Sequence, residues 1–160
     1  KWYAGKKRTA PVPEGQTLIL TPHTGEAARL LACRPEEILA DRPAALKRLV
    51  SRYHATVVLK GPHTLVGTPE REETFECDAG NPFMALGGMG DLLAGTIAAR
   101  WAYLAKTPSI DNVPYLAAAS AVWLHATASD ALVNATPPED PSILNTARKI
   151  GSLRVQLERK

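Results

Sequence analysis

The chain is poor in the groups that mark a disulfide scaffold, a metal centre or a membrane span. It has two cysteines in 160 residues. Cys33 and Cys77 stand far apart, in no metal-like spacing, and read as small apolar residues in a reducing, cytoplasmic compartment. No His/Cys/Asp/Glu cluster has zinc spacing, and no Ser or Cys stands in a nucleophile setting. No stretch approaches the roughly 18 apolar residues that a membrane span needs. Lys1 to Ala10 is basic, but no apolar core follows it as in a signal peptide. The net charge of +3 is too small to point to nucleic acid. Lys6-Lys7-Arg8 and the last few positions read as solvated chain ends. The pI near 9.0 suits an anionic small molecule slightly better than a cationic one.

What remains is a chain of one-domain length with an ordinary apolar fraction and charges of mixed sign, which reads as soluble and globular. Residues 1–16 are Pro-rich and polar and read as a lead-in loop. "TLILTPH" follows as a short buried strand with a loop at its carboxyl end. Thr24 is placed to cap a helix whose apolar face is Ala27, Leu30 and Leu31. "RPEEILADRPAALKRLVSRY" is helical, with Pro35 in a first turn and Pro43 dividing or kinking it. "ATVVLKG" is an unbroken apolar strand, expected to be buried on both faces. "TLVGTPEREETFEC" reads as two strands around a turn. Two long Ala-rich helices and a closing helix, weakened at Gly151, complete the pattern. Buried strands separated by helices indicate an α/β sheet, mostly parallel and covered by helices on both faces. Ligands then bind beyond the carboxyl ends of the strands, where "LTPH", "LKGPHT" and "DAGNP" are expected to converge.

"GNPFMALGGMGDLLAGTIAARW" carries the chemistry. A helix start leaves amides unpaired and is partially positive. Glycines ahead of it let the backbone approach an anion closely. Gly88, Met89 and Gly90, leading into a helix beginning near Asp91, therefore make an anion hole suited to phosphate. Neither G-x-x-x-x-G-K-S/T nor G-x-G-x-x-G fits the spacing. Asp91 has two readings. It is a helix-start carboxylate that favours the dipole, or a general base that takes a proton from a substrate hydroxyl while the amides hold the transferring phosphoryl group. Lys60 could neutralise phosphate or be a solvated strand-end cap. His23 could contact substrate or be structural. His125, inside an Ala-rich helix, reads as a core residue. Magnesium is expected wherever a phosphoryl group moves, but spacing names no ligand for it.

Together, "LTPHTGEAARLL", "VVLKGPHTLV" and "GNPFMALGGMGDLLAGTIAA" resemble the NAD(P)H-hydrate dehydratase family, the carboxyl-terminal domain of the bifunctional nicotinamide-nucleotide repair protein. Three motifs in order, over about Thr17 to Asn134, carry the resemblance. It implies a ribokinase-like three-layer sandwich. It implies that hydrated NADH or NADPH is phosphorylated on its ring hydroxyl and loses phosphate to restore the double bond. ADP is the expected donor, giving AMP; ATP serves eukaryotic members. By motif position Asp91 is the base and contacts the hydrate, and His23 touches the hydrate. Lys60, Gly61, Pro62, His63 and Thr64 form the nucleotide loop, and Gly90 contacts the nucleotide phosphates. The resemblance further implies a homo-oligomer and an NAD(P)H-hydrate epimerase domain upstream on the same polypeptide; charge and the lack of a span-length apolar stretch leave no nucleic acid and no membrane among the expected partners.

Two departures qualify the match. Family domains begin with a half that carries a "GPG" segment and an acidic strand, and neither precedes Thr17. The chain is therefore expected to be the carboxyl-terminal part of one such domain: a lead-in over 1–16, motifs over 17–134 and a closing helix over 135–160. The tail beginning "PPEDPSILN" does not carry the family's usual closing segment. Two alternatives stay open: an ATP-dependent kinase of a vitamin precursor or sugar, and a non-catalytic nucleotide-binding fragment.

Overall fold

The computed structural model describes residues 16–158. The expected lead-in loop up to Glu14 and Gly15, the Lys6-Lys7-Arg8 cluster and the last two basic residues lie outside them. Two compact units divide the chain, one ending at Glu76 and one beginning at Cys77.

In the first unit a four-stranded sheet has the order β1 (Ile19–Leu20), β2 (Thr56–Leu59), β3 (Thr64–Thr68), β4 (Arg71–Cys77). The sheet is mixed rather than mostly parallel. β1 and β2 are parallel, with Ile19 opposite Thr56, while β2 and β3 are antiparallel, with Val58 opposite Val66. Pro69 and Glu70 alone join β3 to its neighbour β4, and so short a link permits only an antiparallel hairpin. The run "TLIL" gives just two strand residues, both half-buried. All four residues of β2 are buried, as its apolar run predicts.

Three helices precede β2: α1 (Thr24–Leu31), α2 (Pro35–Ala40) and α3 (Arg42–Tyr53). Asp41 divides the last two, and its side chain accepts from the Ala44 amide at 2.9 Å to cap α3, with Pro43 in the first turn. Ile38, Leu46 and Leu49 meet Val57, Leu59 and Leu65 in one core. Truncating any of the Leu or Ile side chains among them to Ala should cost about 2–5 kcal/mol. Gly67 admits the close approach of α3, since a Cβ there would lie 3.0 Å from Leu46 Cδ2. Tyr53 donates to the Leu30 carbonyl at 2.9 Å, tying the end of α3 to the end of α1.

The second unit is helical: α4 (Met89–Leu104), α5 (Val113–Val133) and α6 (Ile143–Glu158), preceded by one 3₁₀ turn at Pro82–Ala85. α6 runs through Gly151 without a break. α4 buries Met89, Leu93 and Ile97, one every fourth residue, along a single stripe. α4 and α6 both pack on α5, which buries Ala117, Ala118, Ala121, Leu124, Ala128 and Leu132. His125 is a core residue there, as expected. α5 is longer and more apolar than the expectation of no span-length stretch allows: an 18-residue window of its 21 residues has mean hydropathy 1.2, enough by length and composition alone to cross a bilayer, and 56% of that window is buried inside the protein.

Candidate functional site

Parallel pairing brings the carboxyl ends of β1 and β2 out at one edge, as "LTPH" and "LKGPHT" require. His23 and Lys60 form an isolated parallel bridge there, and the Lys60 amide donates to the Pro22 carbonyl at 2.9 Å. The cap of α1 is His23, not Thr24. Its Nδ1 accepts from the amides of Gly25 at 3.1 Å and Glu26 at 3.4 Å. A ring nitrogen that accepts carries no proton, so in the neutral ring the hydrogen-bond pattern assigns the proton to Nε2. That atom lies 3.6 Å from Glu26 Oε2, and the same oxygen lies 3.9 Å from Lys60 Nζ. Burial pushes the Glu26 carboxyl up. The hydrogen bond from the His23 amide, with His23, Lys60 and Arg29 beside it, outweighs this and holds it below its usual value.

The segment Lys60–Thr64 turns tightly. Gly61 has φ +151° and His63 φ +53°. Thr64 Oγ1 donates to the Gly61 carbonyl at 3.0 Å. His63 Nδ1 lies 2.9 Å from Glu76 Oε1 at the end of β4, so the hairpin returns to the same edge. Beneath the turn sits Arg42, whose two Nη atoms donate to the carbonyls of Pro62 and, at 3.0 Å, Leu59. Neither Glu26 nor Arg42 is among the site residues expected from the sequence. Glu26 had a signal, a carboxylate three residues after the cap position; Arg42 had none, because its partners are 17 and 20 residues away.

In the second unit, Gly88 caps α4 with φ +95°. The helix starts at Met89, two residues before the expected point, and Asp91 is its third residue. The Asp91 side chain is exposed. Of the residues expected to form the anion hole, Met89 is buried and its amide already donates to the Leu86 carbonyl at 3.3 Å. Among the described residues no backbone carbonyl accepts from the amides of Gly90 or Asp91. Two free amides and an exposed carboxylate thus share the positive end of one helix, an arrangement able to hold phosphoryl oxygens and accept a proton. The preceding loop is fixed from α5. Asp130 accepts from the Gly80 amide and from Asn81 Nδ2, each at 2.8 Å, and Asn81 Nδ2 reaches Ser129 Oγ at 3.0 Å. Ser129 and Asp130 were also missed, because nothing near them in sequence announces a partner about 50 residues away.

A family model described as NAD(P)H-hydrate dehydratase matches residues 4–147. The chain belongs to the NAD(P)H-hydrate dehydratase family. It is 50% identical over 112 residues to the bifunctional NAD(P)H-hydrate repair enzyme Nnr of Vibrio cholerae, a match covering 70% of this chain and 21% of that protein. It is 42% identical over 118 residues to the ADP-dependent (S)-NAD(P)H-hydrate dehydratase of Neisseria meningitidis, covering 73% and 37%. The ADP/ATP-dependent NAD(P)H-hydrate dehydratase of Bacillus subtilis, co-crystallized with ATP/Mg2+, superimposes with TM-score 0.77 at 27% identity, over 94% of this chain and 51% of that one. A ribokinase-like superfamily protein of Enterococcus faecalis superimposes with TM-score 0.65 at 30% identity, over 88% and 44%. The dehydratase-family chain thus has the expected ribokinase-like α/β fold and spans about half or less of the length of these relatives.

Proposed function

We propose that this chain carries the catalytic chemistry of a nucleotide-dependent NAD(P)H-hydrate dehydratase, a lyase that returns hydrated NADH or NADPH to the reduced cofactor. The exposed Asp91 carboxylate, on the same helix turn as the free Gly90 and Asp91 amides, is the observation that supports it most. Asp91 contacts the hydrate and takes the proton of its ring hydroxyl. The freed oxygen attacks the terminal phosphorus of ADP, and AMP leaves. Loss of inorganic phosphate and of a neighbouring ring proton then restores the double bond. The Gly90 amide donates to the migrating phosphoryl oxygens, where positive helix charge favours them. Lys60, Gly61, Pro62, His63 and Thr64 hold the nucleotide, Lys60 as a point charge. His23 offers its Nε2–H to the hydrate.

Magnesium neutralises phosphate charge when it accompanies the nucleotide. No group of three or more His, Cys, Asp or Glu among the described residues could hold a metal. Such a cluster is not required, because magnesium at nucleotide sites usually takes only one or two carboxylates beside phosphate oxygens and water. ADP rather than ATP is favoured by the Neisseria meningitidis relative. An epimerase domain on the same polypeptide is supported by relatives described as bifunctional. We further propose one catalytic domain in a homo-oligomer, working in the cytoplasm, where Cys33 and Cys77, both free thiols, stay reduced.

The test is recovery of the near-ultraviolet absorbance of the reduced nicotinamide when ADP is added to hydrated NADH or NADPH and the full polypeptide, with AMP and phosphate formed in equal amounts. Flat absorbance while a sugar or vitamin precursor is phosphorylated would assign a kinase instead. Nucleotide binding without any turnover would assign a binding module.

A further inference from the structure

The turn at Lys60–Thr64 has few means of holding its own shape. Its residues Gly61, Pro62 and His63 are exposed. Two of its backbone angles lie in the left-handed region, at Gly61 and His63. Among the described residues the one side-chain bond inside it is Thr64 Oγ1 to the Gly61 carbonyl at 3.0 Å, and an exposed contact of His63 Nδ1 with Glu76 Oε1 at 2.9 Å tethers it from the side. What fixes it from below is Arg42, at the first turn of α3. One Nη donates to the Leu59 carbonyl at 3.0 Å, just before the turn, and the other to the Pro62 carbonyl within it. The guanidinium also occupies the space a side chain at Gly61 would need, since a Cβ there would lie 3.0 Å from Arg42 Nη2.

Both features call for a planar fork rather than a bare charge. Two carbonyls on either side of the turn are bridged by two nitrogens of one rigid group, a geometry that an ammonium on a flexible stem does not reproduce. Burial pulls Arg42 below its usual value, and the Glu76 carboxylate nearby opposes that. Its Nε is buried with no hydrogen-bond partner among the described residues. A buried polar atom without a partner normally costs stability. A charged side chain half withdrawn from water is therefore being held under this turn at some cost.

We infer that Arg42 is a positioning residue for nucleotide binding: its guanidinium fork sets the backbone of Lys60–Thr64 in the shape that receives the phosphates or adenosine of a nucleoside di- or triphosphate. This rests on the assignment of that segment to the nucleotide. Arg42 acts through the backbone of the loop, of which Lys60 is itself a residue.

Arg42→Gln, Arg42→Lys and Gly61→Ala separate the possibilities in the full polypeptide. Gly61→Ala keeps every polar group but drives a methyl into the fork at a strained backbone angle. Arg42→Gln and Gly61→Ala should each raise KM for nucleotide about tenfold, the size expected from losing one charge-assisted hydrogen bond, with kcat less affected. Arg42→Lys should not rescue KM, and added guanidinium ion should partly rescue Arg42→Gln. Amide hydrogen exchange at Gly61, His63 and Thr64 should quicken in Arg42→Gln with no ligand present. An Arg42→Gln variant with wild-type nucleotide KM, or wild-type exchange at those amides, would overturn the inference. Calorimetric titration of the wild type with ADP and ATP distinguishes the two levels. If the wild type binds neither, both the nucleotide assignment and the inference fall; if it binds and Arg42→Gln binds equally well, only the inference falls.

Discussion

His23 and Glu26 close the start of α1 on each other. Nδ1 of His23 accepts from the Glu26 amide at 3.4 Å, and Oε2 of Glu26 accepts from the His23 amide at 2.9 Å. The residue proposed to touch the hydrate is therefore already employed through one ring nitrogen, and only Nε2 is left for a ligand. Glu26 in turn sits between that ring and Lys60.

Two substitutions separate these duties. Asn is among the best capping residues, so His23→Asn should keep the stability of α1 while losing the Nε2–H donor. His23→Ala should lose both, at about 1 kcal/mol for the cap. Urea unfolding of the two variants, with KM for the hydrate, reads the difference. Equal stability in both would remove the capping role; an unchanged hydrate KM in His23→Asn would remove the binding role.

Acid should weaken this helix start in a defined direction. The Glu26 carboxyl lies below its ordinary value of 4.5 in the folded protein. Between that lowered value and 4.5 the unfolded chain binds more protons, so stability rises with pH across this window. The contribution is complete above 4.5 and is lost as pH falls through the lowered value. Glu37, lowered mainly by the hydrogen bond from the Arg34 amide, adds in the same sense. Urea unfolding at a series of pH values should show a shallower acid slope for Glu26→Gln than for wild type; an identical slope would contradict the linkage.

Gly88 and Gly95 should respond to Ala in opposite directions. Gly88 has φ +95°, and a Cβ there would lie 2.7 Å from Ile143 Cδ1. Gly88→Ala should destabilise by about 1–3 kcal/mol. Gly95 is exposed inside α4 with nothing within 4 Å of a Cβ. Gly95→Ala should stabilise by about 0.5–1 kcal/mol through helix propensity. Thermal unfolding checks both. An Ile143→Ala background should relieve the clash at Gly88 but not its backbone strain, so rescue there should be partial.

Much of the fold was legible because local rules and tertiary packing agree. The unbroken run at Thr56–Leu59 is a buried strand, Pro43 marks a true division between helices, and Pro69-Glu70 is a turn. That turn also held information that went unused, since so short a link forces a hairpin and hence a mixed sheet. The displaced start of α4 has a different cause. Gly88, not Asp91, takes the left-handed backbone angle that ends the loop, and a sequence shows that a glycine permits this angle but not that it adopts it. Thr24 outranks His23 on capping preference, yet Glu26 counts back three residues to His23, so the correct cap was marked by its partner. Arg42, Ser129 and Asp130 act on backbone or side chains far along the chain, and no local pattern carries such contacts.

Asp91→Asn in the full polypeptide tests proton abstraction most directly. The substitution keeps the size and the helix-start position of an exposed side chain and removes its negative charge together with its basicity. Turnover of hydrated NADH with ADP should fall by about two to four orders of magnitude, with nucleotide affinity and thermal stability unchanged. Turnover within about tenfold of wild type, below the range of a general base, would contradict the role given to Asp91 and the dehydratase mechanism built on it.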